Sequence, residues 1–440
     1  MQQEMLGLSQ CLLQHPVLNE KLQYKIKYLN VLQYFTDLYS KENEFAQSML
    51  KIYKQRFLQD VSCYTYSEKE IKKVFKKATQ FKLKGFKLFT YRYNLLFDCF
   101  FINAFNDEKK AREITTAIGS LFSPRYFKRI EALFEMLYCG VKTEFVGLET
   151  QISCWNENKD FFDKPLKRIL ITANMSAGKS TLINALIGKK INKTKNEACT
   201  AKIHYIYNKP FEDNLAYEWD YNLELDADKK TLMDDNVLNT TSDICVGAYF
   251  RLISTINNRI CLIDTPGVNS FENTSHKDVT EKIITESRYD MLVYVMNAEN
   301  SGTFDDRKHL NFVLENVKNK PIVFVINKLD TFSKDEDNIN EIILDAEKEL
   351  LEMGFENPII CPLSAYAAIL AKKMLWNEFD DEDEQIEYAI NRKRFSDDEY
   401  DLSKYGDDVM VKSFSDNKKD QAIELLKKAG FINFENILCK

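Results

Sequence analysis

The sequence predicts an all-α region followed by a doubly wound, mostly parallel α/β domain, and three observations carry that reading. Between Pro16 and Pro124 there is no proline, and glycine occurs only at Gly85 and Gly119, which favours long helices. From about residue 165 to about residue 370, strand-length apolar runs alternate with helical patterns, the order that winds helices over a parallel sheet. One such run, Ile169-Leu170-Ile171-Thr172, passes through a short loop directly into a helical pattern that stops at Gly188.

A chain of 440 residues has room for two or three domains, and 45% apolar with 29% charged residues supplies both a core and a solvated surface. No apolar run approaches the ~20 residues of a spanning helix. The first residues lack a basic stretch followed by an apolar one, so no secretory signal is read and a cytoplasmic protein is expected. The ten cysteines are scattered from Cys11 to Cys439 with no Cys-x-x-Cys pair, and there are four histidines. That pattern argues against a zinc site or disulfide framework and for reduced thiols. The net charge of −7 is uneven: the first 150 residues carry 23 Lys+Arg against 16 Asp+Glu, so the remainder is strongly acidic.

Residues 1–150 read as a helical bundle. Leu22, Ile26 and Leu29, then Phe45, Met49 and Ile52, follow the i, i+4, i+7 rule. Asn106-Asp107-Glu108 opens one helix with a cap and acids in the first turn; Ser123-Pro124 opens another, which Gly140 ends. Lys69, Lys72, Lys73, Lys76 and Lys77 share a helical pattern with Ile71, Val74, Phe75 and Ala78. This is either a core helix with a solvated lysine face, or a basic amphipathic helix for an anionic membrane surface. Residues 151–165 are a linker or connecting helix, and 166–440 form the α/β domain.

The loop after Ile169–Thr172 is Ala173-Asn174-Met175-Ser176-Ala177-Gly178-Lys179-Ser180-Thr181. Strand, loop and helix with Gly-Lys-Ser at the helix start is the context of a P-loop, where backbone N–H groups and the helix dipole hold phosphate oxygens. Asn174 through Thr181 would line the phosphates, Lys179 would reach the outer two, and Ser180 would ligate Mg²⁺. Ala173 stands where such loops carry their first glycine; a positive φ there would strain the turn by roughly 1 kcal/mol.

Four further motifs follow in order. Arg259–Ile263 reads as a buried strand ending in Asp264-Thr265-Pro266-Gly267, with Asp264 at the metal and the Gly267 N–H at the γ-phosphate. Ile322–Ile326 ends in Asn327-Lys328-Leu329-Asp330. There the Asp330 carboxylate would accept two N–H groups of a guanine edge while the Lys328 stem packs on the ring, a pairing adenine does not offer. Pro358–Leu363 leads to Ser364-Ala365-Tyr366, whose backbone would meet the guanine oxygen. Between the first two motifs lies Asn196-Glu197-Ala198-Cys199-Thr200-Ala201, where Thr200, with Thr194 as competitor, would complete the metal site.

The run from Asn174 to Gly188, NMSAGKSTLINALIG, resembles the phosphate loop of dynamin-family GTPases, above all the bacterial dynamin-like proteins. The 85 residues from Lys179 to Asp264 also resemble that family's enlarged segment, as does the stretch from Asn300 to a helix ending near Lys318. The resemblance covers about residues 165–435. It implies Mg²⁺-dependent hydrolysis of GTP to GDP, self-association through the GTPase domain as a dimer, and contact with or remodelling of membrane. Family members position water with a Gln-Ser pair in the phosphate loop; Met175 and Ser176 stand there. Ser176 would then hold a monovalent cation or a partner backbone, with Lys179, Thr200 and Gly267 as the other catalytic positions. Val268 follows Gly267, so no glutamine positions the water from that side, and slow turnover is expected.

After a helix over Ala367–Leu375, the acidic groups Asp380–Glu384, Asp397–Glu399 and Asp407-Asp408 read as a solvated insertion at about 376–410, with helix around Glu384–Arg394. A last helix, Lys418–Ala429, leads to Gly430. Dynamin-like proteins continue into a helical stalk and membrane-binding tip. The N-terminal helices, a second dynamin-like chain or a longer product would have to supply it. Two rival readings are a weakly catalytic GTP-dependent switch and a ribosome- or RNA-associated GTPase using the lysine face, although nucleic acid is not the expected partner.

Overall fold

The computed structural model describes residues 12, 14–58, 90–174, 176–191, 202–219, 223–225, 243–252, 259–266, 274–300, 304–332, 338–406 and 416–440, with 69, 73 and 227 as single positions. The lysine-rich pattern at 69–89 lies almost entirely outside them. The chain divides into two compact units, Met1–Asp163 with Lys209–Asp226, and Lys164–Asn208 with Ala227–Lys440.

The first unit is helical: α1 (Leu22–Ser40), α2 (Glu44–Leu58), α3 (Arg92–Asn103), α4 (Glu108–Gly119), α5 (Pro124–Cys139) and α6 (Glu149–Phe162). The helix signals act as their chemistry requires. Asp107 caps α4 by accepting from the Lys110 N–H at 2.9 Å. Pro124 starts α5 and Gly140 ends it at φ 71°, although the Ser123 side chain makes no capping bond. Phe45, Met49 and Ile52 are buried as spaced, whereas Leu22, in the first turn of α1, is 45% exposed. An aromatic core of Phe97, Phe101, Phe105 and Trp155 fills the unit. Trp155 thereby ties α6, drawn above as a linker or connecting helix, into this core, and its indole N–H donates to the Leu137 carbonyl at 3.2 Å. Residues 209–226, with the short antiparallel strands β3 (Tyr217–Trp219) and β4 (Leu223–Glu224), also belong here. Cys154 is disulfide-bonded, contrary to the expectation of reduced thiols alone; Cys99, Cys245, Cys261 and Cys361 are free and buried.

The second unit is the α/β domain. Its strands β1 (Leu166–Ala173), β2 (Ile203–Asn208), β5 (Asp243–Ala248), β6 (Arg259–Asp264), β7 (Met291–Asn297), β8 (Ile322–Asn327) and β9 (Ile359–Pro362) lie in the order β5-β2-β6-β1-β7-β8-β9. All neighbours are parallel except β2 with β6. The central strands bury nearly every residue, as a sheet covered on both sides must. The helices are α7 (Lys179–Ile187), α8 (Thr274–Glu286), α9 (Phe304–Asn316), α10 (Ile339–Met353), α11 (Ala365–Trp376), α12 (Glu382–Arg394), α13 (Asn417–Lys428) and α14 (Phe431–Cys439). Leu170, Leu292, Tyr294, Phe324 and Phe355 centre one core layer. Helix α14 has no counterpart in the sequence reading; Gly430, at φ 76°, ends α13 and starts it.

Buried charge ties the far end of α7 to the end of the chain. Lys372, fully buried, donates to the Leu186 carbonyl at 3.1 Å, the Arg251 carbonyl at 2.7 Å and the Glu435 carboxylate at 2.6 Å. Burial pulls its ammonium below the usual range and pushes the Glu435 carboxyl up. Arg251, also buried, donates to the Gly188 carbonyl at 3.0 Å and to Glu378 at 2.7 Å.

The acidic insertion is not wholly solvated. Glu384 is buried and accepts from Lys373 at 2.7 Å and Lys190 at 2.6 Å. Lys190 also reaches Asp380 at 2.9 Å. Burial alone would raise the Asp380 carboxyl, but hydrogen bonds from Lys190 and Lys373 hold it at about 2. Desolvating two lysines requires partners, and these acids supply them. Asp407 and Asp408 lie outside the described residues.

Two outcomes follow. Lys372→Met removes the ammonium partner of a buried carboxylate, so chemical denaturation is expected to show a loss of about 3–5 kcal/mol, and adding Glu435→Leu should return part of it. His309 on α9 shares a 2.9 Å hydrogen bond with the Thr172 hydroxyl. Burial, aided by Lys277, lowers its pKa to about 4. A folded value below the unfolded one costs nothing above pH 6.5 and grows as the unfolded chain takes up the proton. Stability should therefore fall by on the order of 2 kcal/mol between pH 7 and pH 5 through this group, a slope that His309→Phe removes.

Candidate nucleotide-binding site

Strand register decides where the site lies. Ile171 stands beside Asp264, Ala173 beside Val295, Asn297 beside Asn327 and Ile326 beside Pro362. The carboxyl ends of five strands therefore share one edge, and the loops carrying the predicted motifs open there, at the crevice where α/β sheets take ligands.

The phosphate loop solves its geometry without the missing glycine. Ala173 is the last residue of β1 and carries no positive φ; the left-handed positions are Ser176, at 64°, and Gly178, at 87°. The strain expected at Ala173 is therefore absent, and Ser176 carries a left-handed conformation that costs roughly 1–2 kcal/mol for an L-residue. Gly178 is required twice over, because a Cβ there would collide with the Asn327 side-chain amide. The Ala177 N–H bonds the Asn174 carbonyl at 3.4 Å, and the Gly178 carbonyl accepts from the Leu182 N–H at 2.9 Å as α7 begins. Lys179, Ser180 and Thr181 form its first turn, where N–H groups without intrahelical partners favour an anion.

Lys179, 8% exposed, forms an ion pair with Asp264, which is fully buried at the end of β6. The next residue is fixed to the neighbouring strand: the Thr265 hydroxyl donates to the Ile171 carbonyl at 3.1 Å. The Thr280 hydroxyl holds the Pro266 carbonyl at 2.9 Å. Gly267, Met175, Thr200 and Thr194 lie outside the described residues.

Asn327, at the end of β8, is buried and bonds in two directions. Its amide donates to the Ala177 carbonyl at 2.9 Å, and its carbonyl accepts from the Ala365 N–H at 3.0 Å. One side chain thus joins the phosphate loop to the Ser364-Ala365 loop, a bridging role that the motif alone does not disclose. Lys328 is left-handed at φ 70°, and its carbonyl accepts from the Thr331 hydroxyl at 2.8 Å, which shapes the turn to Asp330. The half-buried Asp330 accepts from the Ser364 hydroxyl at 2.5 Å, and Ser364 in turn caps α11 by accepting from the Ala367 N–H at 3.0 Å. The Ser364 N–H donates to the Ala429 carbonyl at 3.1 Å, and a Cβ on Gly430 would strike the Pro362 carbonyl.

The described candidates therefore gather at one edge. Ala177, Gly178, Lys179, Asp264, Asn327, Asp330, Ser364 and Ala365 are linked by direct hydrogen bonds, ion pairs or close packing, and Asn174, Ser176, Ser180 and Thr181 adjoin them in the loop and the first turn. The Thr172–His309 contact behind the loop was not anticipated; a histidine six residues after Thr303 on a helix gives no local signal of it. Among the described residues no cluster of three or more His, Cys, Asp or Glu could hold a metal by itself. A cation here would need the Ser180 hydroxyl and water beside Asp264.

The family model for the dynamin family matches residues 169–329. An uncharacterized protein in the xynA 3′ region of Caldicellulosiruptor sp. is 30% identical over 223 residues, 49% of this chain and 52% of that protein. Dynamin-like protein 1 of Campylobacter jejuni is 27% identical over 266 residues, 50% of this chain and 36% of its own length. The probable transmembrane GTPase FZO-like, chloroplastic, of Arabidopsis thaliana is 28% identical over 212 residues, 48% of this chain and 20% of that one. The chain thus spans about half or less of the length of the relatives it matches. With the loop after β1, a buried aspartate and an Asn-Lys-x-Asp loop on one sheet edge, the chain is similar to the dynamin family over residues 169–329.

Proposed function

We propose that the chain binds GTP and Mg²⁺ across this sheet edge and hydrolyses the nucleotide to GDP and phosphate. The observation that carries the reading is the Asn327 bridge: it fixes the loop that would hold phosphate to the loop that would read guanine. Lys179 would exchange Asp264 for the outer phosphates, and the first turn of α7 would surround them with N–H donors. Asp330 would accept the two guanine N–H groups while Ser364 orients its carboxylate, with Lys328 beneath the ring and Ala365 near the base oxygen. Ser180, Asp264 and Thr200 would hold Mg²⁺, which when bound offsets the charge of the phosphates. The fit is chemical: a hydroxyl and a buried carboxylate, with one lysine already neutralising the latter, are the hard-oxygen set such a cation takes.

Hydrolysis is proposed to be slow in the isolated chain. Met175 and Val268 offer no side chain to orient water, which leaves Ser176, the Gly267 N–H and a monovalent cation as helpers. Nucleotide-dependent self-association through the GTPase domain would then raise the rate, and the dynamin-like relatives favour that reading. They also favour contact with an anionic membrane surface as a peripheral protein; among the described residues no helix is long and apolar enough to cross a membrane. The same two residues support a second reading, a GTP-dependent switch with little turnover.

Calorimetry should show GTP binding that Asp330→Ala weakens at least about tenfold, through the loss of charge-assisted hydrogen bonds, while any residual ATP binding is unchanged. Lys179→Ala should lower affinity for both triphosphates. Equal affinity of the wild type for GTP and ATP would remove the guanine reading. The specific hydrolysis rate should rise with protein concentration; a flat rate over a wide range would favour the switch.

A further inference from the structure

Helix α12 has a charge pattern that mirrors itself with inverted sign. About Tyr388, the acids Glu382, Asp383 and Glu384 are matched at equal distance by the bases Arg394, Lys393 and Arg392, and Ile386 is matched by Ile390. The helix buries Glu384, Tyr388 and Asn391 against its own unit. The opposite side presents Ile386, 58% exposed, and Ile390, 46% exposed, one turn apart. Asp383 and Lys393 flank them and are exposed, and among the described residues no side chain pairs with either. Acids at a helix start and bases at its end are favourable for the dipole alone. The dipole does not account for two isoleucines held in water at the mirrored positions.

We propose that this face pairs with the same face of a second copy of the chain. Two antiparallel α12 helices related by a twofold axis at the level of Tyr388 set Ile386 of each copy against Ile390 of the other. The same operation brings the acids Glu382 and Asp383 of each copy level with the bases Lys393 and Arg394 of the other. With a rise of about 1.5 Å per residue, the ion pairs lie some 7–9 Å on either side of the axis and close the apolar centre from both ends. A parallel arrangement would oppose like charges, so the pattern specifies orientation as well as partner. The patch is small, so the contact is a reversible one that salt weakens. It uses none of the nucleotide chemistry proposed above.

Sedimentation equilibrium of the full chain without nucleotide tests it. The wild type is expected to form a reversible dimer. Asp383→Lys and Lys393→Asp each place like charges across both pairs and should weaken association about tenfold. An equimolar mixture of the two variants restores opposite charges at every pair, and should associate like the wild type. Ile390→Gln leaves the caps and charges intact and should also weaken the dimer, which guards against a charge variant that fails to fold. A wild type that stays monomeric, a mixture no better than its components, or an Ile390→Gln chain that dimerises normally would overturn the proposal. Failure of GTP binding would leave all of these measurements unchanged.

Discussion

The two hydrogen bonds of Asn327 are the constraint on which the rest of the site depends. A buried carboxamide has both a donor and an acceptor to satisfy, and leaving either unpaired costs more than either bond contributes. Here the donor is met by the Ala177 carbonyl and the acceptor by the Ala365 N–H, which ties three strand ends together. Gly178 follows from the same requirement, since the carboxamide occupies the space that any side chain there would need. The loop after β1 and the loops after β8 and β9 are thus held together by one side chain, although about 190 residues separate Ala177 from Ala365 in sequence.

The opposite end of α7 is governed by charge. The helix C-terminus carries carbonyls without intrahelical partners, and cations there are favourable. In this chain Lys372 and Arg251 are fully buried against the Leu186 and Gly188 carbonyls, and Glu435 and Glu378 complete the balance. Lys190 continues the pattern to Asp380 and Glu384. The acidic segment therefore has a structural duty, as the counterion store for lysines that line the domain.

Much of this was legible from residue order. The alternation of apolar runs and helical patterns gave the parallel sheet, and the motifs gave the edge at which ligands would gather. The α4 cap at Asp107 and the α5 start at Pro124 were readable because both act within one turn. What could not be read was whatever joins distant segments. Glu384 looks like one of a solvated acidic run until Lys373 and Lys190 arrive from elsewhere in the fold. Ala173 looked like a strained substitution because sequence gives the residue and not the φ; the chain moves the left-handed position to Ser176 instead. Helix α14 was missed because nine residues beginning with Phe-Ile-Asn-Phe resemble a buried strand as closely as a helix.

The close approach of Gly430 to Pro362, with the Ser364 N–H resting on the Ala429 carbonyl, has a mechanical meaning. The last two helices are levered directly against the loop whose hydroxyl steadies Asp330. The end of the chain therefore helps to fix the corner at which Asp330 and Ser364 meet.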